Sequence, residues 1–302
     1  MSVIELLATS PAVFIGTWLL LGLVVGSFLN VVIYRLPIML ERQWHEQCAE
    51  VSGTAAAATV PATMPERFNL VVPRSNCPTC RAPIGTLQNI PLISWMLLRG
   101  RCARCGAAIS ARYPLVEGLT GILFGLVAWR FGFGWPALAG VALTAFLIAL
   151  MFIDVDRQLL PDSLTLPLMW LGLLLSLLGP QPGSPVPVDV RSSLIGSIAG
   201  YLSLWSVYHL FRLVTGKEGM GYGDFKLFAA LGAWLGWQML FATILIAASV
   251  GAVVGLTLIA IRKHHRAAPI PFGPFLAAAG WLMLMWGQPL VSSYLGLFAV
   301  HR

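Results

Sequence analysis

Eight apolar runs, near 12–33, 114–132, 135–154, 163–178, 192–214, 225–237, 238–261 and 274–298, divide this chain and limit what it can fold into. In hydrocarbon every backbone N–H and C=O must find a partner within the chain, so runs of this kind become helices. A full crossing takes roughly 20 residues. The run 225–237 is short by that measure, and 225–237 with 238–261 reads either as two spans or as one bent element. Only 10% of the residues are charged and 58% are hydrophobic, whereas soluble domains carry about a quarter charged residues. The expected fold class is an all-α polytopic membrane protein with about eight transmembrane helices. Met1 to Thr9 has no basic region and includes Glu5, so the first run reads as a retained helix and not as a cleaved signal peptide.

The net charge of +7 invites a nucleic-acid reading, but its distribution argues against one. With the N-terminus outside, the cytosolic loops are 34–113, 155–162, 213–224 and 262–273. With the flanking Arg212 and Lys226, these hold all of the 19 Lys and Arg except Arg130, Arg191 and Arg302. That asymmetry is the positive-inside pattern of a multi-pass membrane protein, with the lipid bilayer as partner and no nucleic acid. The chain then divides into a first transmembrane helix, 1–33, a cytosolic domain, 34–113, and a membrane-embedded remainder, 114–302. Val51 to Pro65 is rich in Ala and Thr and reads as a loose loop. Gly179 to Val188, with its prolines and glycines, reads as a short external loop. No internal repeat is evident.

The cytosolic domain carries Cys77-Pro78-Thr79-Cys80 and Cys102-Ala103-Arg104-Cys105. Each CxxC is a knuckle that brings two thiolates to one metal, and two knuckles complete a tetrahedral four-cysteine zinc site. So small a region has little core of its own, and structural zinc contributes about 10–16 kcal/mol to the folding of small peptides. Two disulfides would fit the same spacing, but a reducing cytosol disfavours them. Four thiolates leave no open coordination position, so the metal is expected to be structural. Arg81, Arg99, Arg101 and Arg104 surround the cluster and offset its negative charge. Cys48 reads as an ordinary residue.

Carboxylates at the edge of hydrocarbon are costly and usually functional. Asp154 ends the apolar run Leu147 to Ile153, and Asp224 follows three glycines in Gly219-Met220-Gly221-Tyr222-Gly223. The charge asymmetry puts both on one side of the membrane. Glycines such as Gly221 and Gly223 let a backbone approach another chain closely, which suits a site that admits an extended peptide. Residue types alone leave a second reading of Asp224 open, a helix-capping acid after a flexible loop. Asp156, two residues from Asp154 on a helix, points away from it. Asp162 follows Pro161 and reads as a first-turn acid. Glu117, just inside the second run, either bonds within the bundle or helps a polar substrate site. Gly221, Gly223, Glu117, Asp156 and Asp162 are thus candidates for substrate binding or support. Two close carboxyl groups share a proton: the ionised member takes a proton from water, and the protonated one donates to a scissile carbonyl. No Ser-His-Asp spacing, HExxH or phosphate-binding glycine loop is present.

Over nearly its full length the chain resembles the bacterial type IV prepilin peptidases, closest to the pseudomonad type. The matching segments are Gly26-Ser27-Phe28-Leu29-Asn30 through Leu36-Pro37, the two CxxC knuckles and Arg112-Tyr113-Pro114-Leu115-Val116-Glu117. They continue with Asp154 through Asp162, Gly216 through Asp224, and Pro271-Phe272-Gly273-Pro274. The resemblance implies an intramembrane aspartyl protease with a GxGD motif, here Gly221-Tyr222-Gly223-Asp224, and with Asp154 and Asp224 as the catalytic pair. It implies removal, after a Gly, of the short basic leader of type IV prepilins and type II secretion pseudopilins on the cytosolic side. It further implies N-methylation of the new N-terminal residue with S-adenosylmethionine. No Gly-rich nucleotide fold marks the methyl-donor site, for which the domain 34–113 and the face near Asn30 and Glu117 are candidates. The rival readings are a proton-coupled transporter or channel, and a non-catalytic secretion-assembly subunit with a structural zinc domain. A transporter would place acids near the midplane and show paired repeats.

Overall fold

In a computed structural model, residues 2–52, 68–77, 79–179, 188–261 and 270–299 are described. Most of the Ala/Thr-rich stretch, most of the proline-rich loop, Pro78 and the basic loop around His264 and His265 lie outside them. Each of the eight apolar runs is a helix. After a short capped helix α1 (Val3–Thr9) come α2 (Pro11–Ser52), α3 (Ile93–Leu97), α4 (Arg112–Phe131), α5 (Trp135–Arg157) and α6 (Asp162–Ser176). They are followed by α7 (Val190–Thr215), α8 (Tyr222–Leu235), α9 (Trp237–Ala260) and α10 (Gly273–Ala299). Among the described residues there is no named strand, only two isolated bridges. Helices α2, α4, α5, α7 and α9 are long and apolar enough to cross a bilayer. The protein is a multi-pass membrane protein. The 14 residues of α8 reach about 21 Å, short of the roughly 30 Å hydrocarbon core. The runs 225–237 and 238–261 are two helices, broken at Gly236 with φ 77°.

The chain forms two compact units, Ile15–Gly125 and the remainder. In the larger, every residue of α8 from Leu227 to Leu235 is buried. Small residues on its neighbours make this possible, as membrane helices pack by backbone approach more than by hydrophobic drive. A Cβ on Gly200 would lie 2.7 Å from Phe228 O, and one on Gly196 would overlap Gly232 O. Gly172 of α6 leaves room for the Trp234 indole, whose Nε1 donates to Leu168 O at 2.8 Å. Phe225 packs edge-on against Tyr201 and Tyr208 of α7. The first turn of α8 is thereby held at a fixed rotation.

In the smaller unit, α2 continues as one helix past the apolar run to Ser52. It meets α4 through glycines: a Cβ on Gly22 would lie 2.8 Å from Gly121 Cα, and one on Gly26 2.7 Å from Glu117 Cα. Buried Arg35 donates to Asn69 O at 2.9 Å and Pro73 O at 2.6 Å, tying the segment after α2 back onto it.

Within this unit the absence of repeats needs a correction. Asn76–Gly85 and Arg101–Ser110 are two copies of one turn. Cys77 N donates to Ala82 O and Cys102 N to Ala107 O; Arg81 N donates to Cys77 O and Gly106 N to Cys102 O. The bridges Asn76–Pro83 and Arg101–Ala108 close both, and Arg81 and Gly106 share a left-handed backbone. The repeat spans only about ten residues, too short to stand out against the far longer periods of repeat architectures.

Candidate active site

Three chain segments converge on one buried point. Asp154 lies in the last turn of α5, which ends at Gln158 in a left-handed conformation. Asp224 lies in the first turn of α8, where its N–H donates to Gly221 O at 3.2 Å. Gly273 opens α10, and its N–H donates to Asp154 Oδ2 at 3.0 Å. Leu160, in the link from α5 to α6, joins them. A Cβ on Gly223 would lie 2.7 Å from Leu160 Cβ, and one on Gly273 would lie 3.2 Å from Leu160 Cδ1.

The two acids are 5% and 7% exposed, and the charge of Asp154 reaches Asp224. Asp224 Oδ1 is buried without a hydrogen-bond partner. A buried polar atom left unpaired is costly, and in a native protein it needs an explanation. Among the described residues neither carboxyl group is paired with a cation, and two buried acids acting on one water are what paired-carboxylate hydrolysis requires.

The four cysteines form a second site. Their sulfurs all lie within 4.8 Å of one another, and Cys77 Sγ is 3.8 Å from Cys105 Sγ. A tetrahedron with metal–sulfur bonds of about 2.3 Å has edges of about 3.8 Å, so the cluster can bind a metal ion. All four are free thiols. The N–H groups of Cys80 and Thr79 hold Cys77 down at about 6, and those of Cys105 and Arg104 lower Cys102 in the same way. Cys105 accepts from the Ala107 N–H, yet the Cys80 thiol and burial push it up to about 11. Four thiols this close cannot all ionise until a cation replaces their protons.

Comparison with known proteins gives the family. Residues 20–131 match the bacterial peptidase A24 N-terminal domain, and residues 141–256 match the type IV leader peptidase family. A prepilin leader peptidase/N-methyltransferase of Stutzerimonas stutzeri is 53% identical over 98% of each chain. The chain belongs to the type IV leader peptidase family. The proteins of the same name from Aeromonas salmonicida, strain A449, and Pseudomonas aeruginosa are 54% and 50% identical, over 97% and 98% of each chain. No solved structure matches.

The remaining candidates of this leader-peptidase chain fall in different places. Gly221 caps α8 and Gly223 packs on Leu160, both beside Asp224. Asp156 is exposed at the end of α5, turned away from Asp154 as the helical spacing requires. Asp162 opens α6 and pairs with Lys226 Nζ at 2.7 Å. Glu117 belongs to the other unit, where its Oε2 accepts the Leu92 N–H at 2.9 Å. Asn30 Nδ2 donates to Tyr113 O. Both are hydrogen-bonded to the protein's own backbone. Sequence reasoning gave Leu160 and Gly273 no role in the site. The signal for Gly273 was its place in Pro271-Phe272-Gly273-Pro274, one of the segments that carry the family resemblance.

Proposed function

We propose that this protein is an aspartic endopeptidase of the inner membrane that removes the leader of type IV prepilins and pseudopilins. Asp154 and Asp224 are its catalytic pair. The observation that carries the reading is the meeting of two buried carboxyl groups from α5 and α8, one of whose oxygens has no partner. The ionised member of the pair takes a proton from water, which attacks the scissile carbonyl. The protonated member donates to the carbonyl oxygen, and the proton then passes to the leaving amine. The Gly273 N–H fixes the plane of the Asp154 carboxyl group, and Gly223 lets α8 start against Leu160. Gly221, where a Cβ would meet only Asp224 Oδ2 at 3.8 Å, leaves space for an extended peptide at the mouth of the site.

The charge asymmetry of the loops supports a site at the cytosolic face and an N-terminus in the periplasm. The chain then divides into the first helix (1–33), a cytosolic cysteine domain (34–113) and the protease domain (114–302). The four cysteines hold zinc, whose charge fastens the two turns together and leaves no position for substrate. The protein also methylates the new N-terminus. S-adenosylmethionine supplies the methyl group, and no described residue is assigned to it.

The test is cleavage of a prepilin by the purified full chain in lipid with S-adenosylmethionine, read by intact mass. Leader loss by the wild type and none by Asp154→Asn or Asp224→Asn is the expected result, with a methyl mass on the product. Cleavage retained in either variant would overturn the catalytic pair. An intact prepilin with a folded, metal-loaded wild type would favour the non-catalytic or transport readings.

A further inference from the structure

The short helix α3 wears its apolar residues outside. Ile93, Met96 and Leu97, at i, i+3 and i+4, share one face and are 54%, 69% and 79% exposed. Its opposite face carries buried Ser94 and half-buried Trp95. The Trp95 Nε1 donates to Ile109 O at 3.2 Å, and a Cβ on Gly100 would lie 3.0 Å from the indole. That inner face is therefore fastened to the second cysteine turn. In water this is an inverted helix, since a small soluble domain does not turn three large aliphatic side chains outward together.

The level at which α3 sits explains the inversion. The Leu92 N–H, one residue before α3, donates to the carboxylate of Glu117 at 2.9 Å. A Cβ on Gly118 would lie 3.8 Å from Leu92 Cδ2. Glu117 is in the second turn of α4, about 7–8 Å along the helix from Arg112. α3 thus begins beside the first turns of a spanning helix, at the depth where lipid headgroups give way to acyl chains. The charges around it point the same way. Every charged residue from Arg67 to Arg112 is an arginine. Exposed Arg99, Arg101 and Arg104 follow α3 directly.

We propose that α3 is an interfacial anchor: Ile93, Met96 and Leu97 enter the leaflet beside α4, and Arg99, Arg101 and Arg104 bind the phosphates of anionic phospholipids. A short apolar face flanked by cations is what such a surface retains, aliphatic groups below and guanidinium groups at headgroup level. The anchor holds the cysteine turns against the membrane at a fixed depth. It rests on the reading of α2 and α4 as spanning helices and is independent of the catalytic pair.

The test places p-benzoylphenylalanine at Leu97, and separately at Leu20, a 63% exposed position on α2. The full-length, metal-loaded protein goes into nanodiscs of equal phosphatidylglycerol and phosphatidylcholine, and adducts are read by mass after illumination. Lipid adducts at both positions are expected. At Leu97 phosphatidylglycerol should exceed phosphatidylcholine by about threefold, with no preference at Leu20. The triple variant Arg99→Gln, Arg101→Gln, Arg104→Gln should bring the ratio at Leu97 near one. Arg99→Gln alone, outside both cysteine turns, repeats the test if the triple variant loses metal, and should lower the ratio. Lipid at Leu20 but none at Leu97 overturns the anchor, as does a cross-link from Leu97 to a second copy. Lipid adducts without headgroup preference overturn the arginine role. No lipid at either position overturns the spanning reading and the anchor with it.

Discussion

The acid site and the thiol site are built by opposite means. Asp154 and Asp224 are buried by helix packing, brought together from α5 and α8 and held by the N-terminus of α10. Cys80 and Cys105 are exposed, and the four thiols are presented by two copies of one ten-residue turn. The first site depends on the absence of single methyl groups, at Gly223 and Gly273. The second tolerates solvent on most sides but needs a cation to hold its thiols in the ionised state. One should fail by crowding and the other by loss of its ion.

The largest effects should come from the atoms of each site themselves. Asp154→Asn and Asp224→Asn should each lower prepilin cleavage by about 10³-fold or more, with metal content and helicity unchanged. Removing the metal with a chelator, or making Cys77→Ser with Cys102→Ser, should leave α8 protected from hydrogen exchange. The amides of Cys77, Arg81, Cys102 and Gly106 should lose their protection. If both regions exchange together, the two sites are not separately supported. The metal site should also fail first in acid. Binding must displace protons, above all from Cys105 at about 11, so lower pH favours the thiols over the metal complex. Apparent metal affinity should fall by about tenfold per pH unit for each proton released. A chelator titration from pH 8 to 6 measures it, and a flat profile would mean that the cluster is already fully ionised.

Crowding is the next test. A Cβ on Gly273 would lie 2.5 Å from Asp154 Oδ2, so Gly273→Ala must move the carboxyl group or α10. A displacement near 1 Å can cost about 10²-fold in rate, and that loss is expected here with the metal retained. Gly16→Ala on α2 meets nothing within 4 Å and serves as the control. Full activity in Gly273→Ala would show that the Asp154 carboxyl group is not held in one position.

These differences also explain what the sequence could disclose. All eight long helices were legible because apolar periodicity and length are local properties, and the four cysteines because their spacing is local too. Asp154 and Asp224 were legible as costly acids at the ends of apolar runs. Their meeting was not, since it depends on Leu160 and on the start of α10, and nothing in the residue pattern says which helices touch. The outward apolar face of α3 was hidden for another reason. Ile93, Met96 and Leu97 look like core residues until the bond from Leu92 to Glu117 sets their level. Asp162, by contrast, was read as a first-turn acid, and α6 does begin with it.

The smallest effect concerns that acid. Lys226 Nζ lies 2.7 Å from each oxygen of Asp162, two residues after Asp224 on α8 and at the start of α6. Proximity to the site suggests support, but the two side chains are 30% and 55% exposed. An exposed pair of this kind contributes at most about 1 kcal/mol, because water screens the charges and two long side chains must be ordered. Asp162→Asn and Lys226→Met should therefore each change thermal stability little and cleavage by less than about threefold. The double variant separates the two remaining possibilities. If the pair merely staples α6 to α8, the double variant should match either single one. If Asp162 itself meets a cationic group of the substrate, Asp162→Asn should raise KM while Lys226→Met, by freeing the carboxylate, should lower it. A split of that sign would extend the acid site outward from two buried carboxyl groups to a third, exposed one.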